Sequence, residues 1–363
     1  MSAGVDSDKT ARALYALLEL SKALSSVVDL DQLRKVIAEK APAVVDAERI
    51  SLSFHEVTSA KSTPVVDSKG NTIAVLESTG RKFDEQNESL MRALSAHVAA
   101  ALERMRVMEV HLENAAFEES LRVASEIQMR MLPPGTVVLP AKTRFAIRAH
   151  IRPARQVGGD LYDFFWTDDR LYFCIGDVTG KGIGSALVMA MTKTLFRAHA
   201  AFHDDPAKVM SAASSRLYEE TDPAMFVTAF CGFLDLRNGR LLYSNAGHDR
   251  PLILSAGRRV RPFLSKAGLP LGVLPKFNYV AEEKVLHDGE ALFLYTDGVT
   301  EATNGSDEMY RMDRLCEVLE GCGSADPSQV VPAVLESVDR FAGETSQADD
   351  ITMLCVQYRG AQA

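Results

Sequence analysis

Four acidic positions in this 363-residue sequence stand where chemistry could be done. Asp160 follows Gly158-Gly159, and Asp177 lies in Gly176-Asp177-Val178-Thr179-Gly180-Lys181-Gly182. Asp297 lies in Tyr295-Thr296-Asp297-Gly298, and Asp349-Asp350 precedes a final apolar run. A single aspartate in a turn is ordinary surface. Four of them, each abutting an apolar strand-like run, predict one shared edge where the chain leaves a sheet. Clustered carboxylates repel one another unless a cation compensates them. Hard oxygen donors without His or Cys partners select Mg2+ or Mn2+ over zinc. The glycine-rich stretch is not a nucleotide loop. Lys181 is followed by Gly182 where GxxxxGK[ST] needs Ser or Thr, and glycines at 180, 182 and 184 do not fit GxGxxG. Their use is a tight turn between Asp177 and the next helix.

The elements that must position these residues are legible as three regions. In residues 11–47, Leu14, Leu17, Leu18, Leu24, Leu33, Val36 and Ile37 recur at helical spacing, with Asp29 as a cap for the second helix. Residues 50–78 hold the short runs ISLSFHEV, TPVV and TIAVLES, with a hairpin turn at 67–71. Residues 84–132 contain no Gly or Pro, which predicts one helix of roughly 72 Å. Its apolar seam runs Leu90, Leu94, Val98, Ala101, Met105, Met108, Leu112, and resumes with Phe117, Leu121, Ala124, Gln128 and Met131. Near-heptad steps predict a two-stranded coiled coil and a homodimer through this linker helix; the alternative is an amphipathic helix lying on its own domain. Pro133-Pro134-Gly135 ends it. Beyond it come the strand-like runs RFAIRAHI, LYDFFW, RLYFCIGDV, FVTAFCGFLDL, RLLYSNA, PLILSA, ALFLYTDGV and DITMLCVQY, with helices at 184–201, 205–221 and 327–341. Asn238-Gly239 signals a two-residue hairpin. Consecutive strands with grouped helices mean an α+β fold, not a βαβ parallel sheet.

Composition sets the remaining bounds. At 47% hydrophobic and 25% charged, the chain predicts a globular protein of two or three domains. A net charge of −9 with no Lys/Arg stripe argues against nucleic acid. No apolar run approaches the ~20 residues that would cross a bilayer. The first residues carry Asp6 and Asp8 without an apolar core, and a cytoplasmic location is expected. The five cysteines lack zinc spacing and read as buried thiols in a reducing compartment.

The motifs GGDLYDFF, IGDVTGKGIGSALVMAM, NAGHDRP, LYTDGVTEA and ADDITMLCV occur in the order found in SpoIIE/RsbU-type phosphatases, the bacterial branch of the PPM (protein phosphatase 2C-like) family. The resemblance covers roughly 133–357. It implies an αββα sandwich with two Mn2+ or Mg2+ ions at one end. Asp160, Asp177, Asp297, Asp349 and the backbone carbonyl of Val178 then resemble the metal ligands, and Asp350 supports them from behind. A metal-bridging water held by Asp160, Asp177 and Asp297 would attack phosphorus in line. Arg155, five residues before Asp160, sits at the offset of a phosphate-binding arginine in eukaryotic relatives. His248 resembles a capped turn, Lys181 stands where many relatives have histidine, and Arg311 stands where glycine is frequent. Residues 1–83 resemble a GAF domain cut down in its middle, 84–132 form the linker, and 133–363 the phosphatase. The implied activity is that of a metal-dependent protein serine/threonine phosphatase. Its implied substrate is a phosphorylated STAS-type anti-sigma-factor antagonist in bacterial partner switching. The alternative is a catalytically inactive PPM-fold signalling scaffold, against which the retention of all four carboxylates counts.

Overall fold

The computed structural model describes residues 2–54, 62–79, 85–140, 143–222, 224–257 and 260–360. The expected strand end at 55–57 and the approach to the long helix at 80–84 lie outside the described residues. The chain divides into two units, Met1–Glu119 and Ser120–Ala363.

In the first unit, α1 (Ser2–Ser25) and α2 (Leu30–Lys40) follow the helical spacing, and Asp29 Oδ1 accepts the Gln32 N–H at 2.7 Å. After α3 (Pro42–Val45), strands β1 (Arg49–Ser53), β2 (Ser62–Val66) and β3 (Thr72–Thr79) pair antiparallel in the order β1-β3-β2. The β2–β3 turn forms where expected. Asp67 accepts the amides of Lys69 and Asn71, and Gly70 takes a φ of 87°. The stretch without Gly or Pro is one 47-residue helix, α4 (Glu85–Met131).

The seam of α4 divides. Met91, Leu94, Val98 and Ala101 are buried with Leu20, Leu24, Leu33 and Ile37 of α1 and α2, and Leu90 and Met105 pack against the same core. The first turns of the expected Leu90–Leu112 dimer seam are therefore covered by the chain's own helices. Only the later part, with Met108, Leu112 and Phe117, is exposed.

The second unit contains β4 (Phe145–Arg152), β5 (Leu161–Trp166), β6 (Arg170–Val178), α5 (Ile183–Phe202), α6 (Pro206–Glu220), β7 (Val227–Asp235) and β8 (Arg240–Ala246). It continues through β9 (Leu252–Leu254), β10 (Arg261–Pro262), β11 (Glu282–Val285), β12 (Ala291–Tyr295), α7 (Asp297–Thr300), α8 (Arg311–Gly321), α9 (Pro327–Ala342) and β13 (Ile351–Tyr358). Two antiparallel sheets result, β10-β9-β12-β13-β4 and β11-β8-β7-β6-β5. Phe145, Phe173, Ile175, Phe230, Leu292 and Leu354 fill the space between them. Helices α5 and α6 cover the outer face of one sheet through Val188, Phe196, Val209 and Leu217. Helices α8 and α9 cover the other through Leu315, Val330 and Val334. This is the expected αββα sandwich.

Local departures have local causes. The run ALFLYTDGV does not stay extended, because α7 starts at Asp297. The β7–β8 connection is four residues rather than two, closed by the Gly239 N–H on Asp235 O at 2.9 Å with Gly239 at φ 75°. Arg311 has φ 64°, a left-handed conformation that glycine adopts freely and a residue with Cβ at a cost of about 1 kcal/mol. Cys174, Cys231 and Cys355 are buried free thiols, and Cys316 and Cys322 are half-buried.

Candidate active site

Each sheet contributes two strand ends to the same end of the sandwich. In one, Leu161 pairs with Gly176, so Asp160 at the start of β5 abuts Asp177 near the end of β6. In the other, Tyr295 pairs with Met353, so Asp297 leaves the end of β12 beside Asp349-Asp350 at the start of β13. The glycines permit the close approach. A Cβ on Gly159 would lie 2.8 Å from Val178 O, one on Gly158 would collide with the Asp350 carboxylate, and one on Gly298 with the Asp350 carbonyl.

Burial makes these charges costly. Asp160 is 1% exposed, and Thr296 Oγ1 donates to its Oδ2 at 2.8 Å. Burial first, then the Asp177 charge, drive its carboxyl well above the usual carboxylate range. Asp177 is raised in turn by burial and by Asp297. Asp163, three residues on and fully buried, shows what a balanced charge looks like here. Arg197 grips it with two nitrogens, Nε at 2.7 Å, and Lys193 lies 3.9 Å away. Among the described residues no lysine or arginine pairs with Asp160. Its charge calls for a cation from outside the chain, and the oxygen-only donor set fits a hard divalent ion.

The Stage II sporulation protein E (SpoIIE) family matches residues 167–359, more than half of the chain. The chain belongs to the SpoIIE family. It is 32% identical over 264 residues to Protein IcfG of Synechocystis sp., covering 65% of this chain and 41% of that protein. It is 26% identical over 240 residues to phosphoserine phosphatase RsbU of Bacillus subtilis, covering 66% of this chain and 70% of that one. The chain thus spans less than half the length of IcfG. The solved SiaA-PP2C domain of Pseudomonas aeruginosa shares its fold, with a TM-score of 0.60 at 23% identity over 68% of this chain and 98% of that domain. The sandwich is therefore that of a SpoIIE/RsbU-type PPM phosphatase.

The other expected site residues have specific places. Asp350 accepts the amides of Ala154 and Gly159, each at 2.7 Å, so it braces the loop that presents Asp160. Asp349 Oδ2 pairs with Lys181 Nζ at 2.9 Å, and Lys181 also donates to Ala348 O. No three His, Cys, Asp or Glu side chains among the described residues stand close enough to hold one ion. Holding a cation through Asp349 requires it to turn from Lys181. Arg155 is exposed on the loop before Asp160, with no ion pair to a described residue. The His248 N–H is capped by Asn245 Oδ1 at 2.8 Å, and burial pushes its imidazole down to about 4, so it is neutral at pH 7.

Two features lie outside the expected set of site residues. Gln128, which the seam places in a helix interface, is buried against the site loop. Its Nε2 donates to Gly158 O at 2.7 Å and its Oε1 accepts the Gly158 N–H at 3.1 Å. Asp249 and Glu301 join Asp177 and Asp297 around a cavity of about 250 Å³.

Asp297 is pushed up to about 6, by burial first and then by Glu301 and Asp349. The folded chain therefore binds more protons than the unfolded one from about pH 4 to 6, and this group costs stability as pH rises through that window. With EDTA present, Asp297→Asn is expected to gain about 1–2 kcal/mol over wild type between pH 4 and 7, after discounting for solvent screening. Urea unfolding at both pH values measures it; a pH-independent difference counts against the electrostatic account.

Proposed function

We propose that this SpoIIE-family chain is a metal-dependent protein serine/threonine phosphatase. In this reading Asp160, Asp177, Asp297, Asp349 and the Val178 carbonyl hold two Mn2+ or Mg2+ ions. The buried, cation-free carboxylate of Asp160 beside Asp177 carries the reading. Bound divalent ions supply a water of lowered pKa and neutralise phosphoryl oxygens. The chain does the rest. Thr296 fixes one oxygen of Asp160, Asp350 and Gln128 hold its loop, and the Gly180–Gly182 turn brings Lys181 to the rim. Lys181 and exposed Arg155 offer positive charge to a phosphate entering there.

The substrate class we infer is a phosphorylated STAS-type anti-sigma-factor antagonist in a partner-switching pathway. Support comes from the resemblance of the motifs to RsbU-type phosphatases and from the similarity to the phosphoserine phosphatase RsbU of Bacillus subtilis. In the same reading, residues 1–83 are a GAF-like regulatory module and 84–132 its linker. A homodimer would form through the exposed part of α4 around Met108 and Leu112. We place the protein in the cytoplasm; no helix among the described residues is long and apolar enough to cross a membrane.

The test is phosphate release from a serine-phosphorylated STAS-domain protein and from p-nitrophenyl phosphate. Release is expected with Mn2+, to stop with EDTA and to return when Mn2+ is restored. No release from either substrate would favour the inactive scaffold, a reading that the Lys181–Asp349 pair supports.

A further inference from the structure

The first turns of α5 carry apolar side chains outward. Ile183 and Leu187 are 50% and 65% exposed, while Val188, Met189 and Phe196 on the same helix are buried. In the loop after β10, Val273 and Leu274 are 37% and 42% exposed. Half-buried Met225 joins the two groups. A Cβ on Gly184 would meet Met225 Cε at 3.2 Å, and one on Gly272 would meet Met225 O at 3.6 Å. The exposed apolar surface is on the order of 300 Å², the scale of the largest apolar patch on a typical monomer, which is often functional.

This patch begins one short loop away from the carboxylate cleft. Ile183 directly follows the loop that runs from Asp177 to Gly182. The Thr179 N–H donates to the carbonyl of Phe226, next to Met225, at 2.9 Å. Anything seated on the patch therefore sits beside the place where a phosphoryl group would enter. A phosphate is bound by charge and gains nothing from Leu187 or Leu274.

We propose that the patch docks the phosphoprotein substrate through an apolar surface flanking its phosphorylated serine or threonine. The inference rests on the phosphatase reading above. A second copy of the chain or a lipid surface held there would stand in the approach to the cleft, whereas a substrate both covers the patch and fills the cleft.

The test pairs Leu187→Ser with Leu274→Ser, both at exposed positions, and uses Leu187→Met with Leu274→Met as the conservative control. Three substrates are compared in Mn2+: a serine-phosphorylated STAS-domain protein, the phosphoserine peptide excised from it, and p-nitrophenyl phosphate. The serine pair is expected to lower kcat/KM on the folded phosphoprotein at least tenfold, through KM. Its rates on the peptide and on p-nitrophenyl phosphate should stay within twofold of wild type, and the methionine pair should restore docking. Equal losses on all three substrates, or an unchanged KM for the phosphoprotein, would overturn the proposal. So would a fall in mass by light scattering with no change in KM, which would assign the patch to a second copy. A wild-type chain that hydrolyses none of the three would instead sink the phosphatase reading itself.

Discussion

Asp177→Asn and Asp297→Asn are each expected to lower phosphate release in Mn2+ by at least about a hundredfold, the scale of losing one preorganised charge in a reaction centre. The fold should survive. Both carboxyls are already raised by burial and by neighbouring carboxylates, Asp177 by Asp297 and Asp297 by Glu301 and Asp349, so neutralising either relieves repulsion. Two readouts separate the site from the scaffold. p-Nitrophenyl phosphate hydrolysis should collapse, and titration calorimetry should show weakened Mn2+ binding, while circular dichroism stays that of wild type. Turnover like wild type by either variant would sink the two-metal assignment.

Arg197→Met is expected to be strongly destabilising to the second unit. It strips Asp163, fully buried on β5, of both guanidinium hydrogen bonds and leaves the Phe164 N–H at 3.0 Å and Lys193 at 3.9 Å. Breaking a buried pair by removing one member costs about 3–5 kcal/mol, which lowers the melting temperature by about 10 °C in a domain of this size. Burial already raises the Asp163 carboxyl, against the pull of Arg197. Without the guanidinium its pKa rises further, so the variant should regain stability as the pH falls and the acid takes up its proton. The double variant Arg197→Met with Asp163→Asn should recover much of the loss at pH 7. A single variant as stable as wild type would mean the pair contributes nothing net.

The site was legible because its carboxylates interrupt apolar runs at glycine. That signal needs no partner in sequence, and it located all four strand ends. Partners remote along the chain leave no such mark. Asp163 reads as one polar residue within LYDFFW, and only the fold brings Arg197, 34 positions later, across from it. Gln128 occupies a seam position by periodicity, yet its amide matches both backbone groups of Gly158. The long helix was legible from its lack of breakers. What covers its first half was not, because α1 and α2 compete for the same apolar stripe that a second copy would use. Helix α8 went unseen beside an arginine held at positive φ. Edge strand β11, Glu282–Val285, has charged residues at three of its four positions and no buried face to reveal it.

The position of β13 governs when the protein can become itself. This strand, every residue buried, lies between β12 and β4 and pairs with β4 along its whole length, Ile351 with Arg152 through Tyr358 with Phe145. β4 must therefore wait for a neighbour about two hundred residues downstream, and closing so long a loop is slow. Until β13 inserts, one sheet is split and offers two unsatisfied edges to any other strand. The same event delivers Asp349 and Asp350 to the carboxylate cluster and, through Asp350, braces the loop of Asp160. Closure of the sheet and assembly of the carboxylate cluster thus depend on one and the same strand.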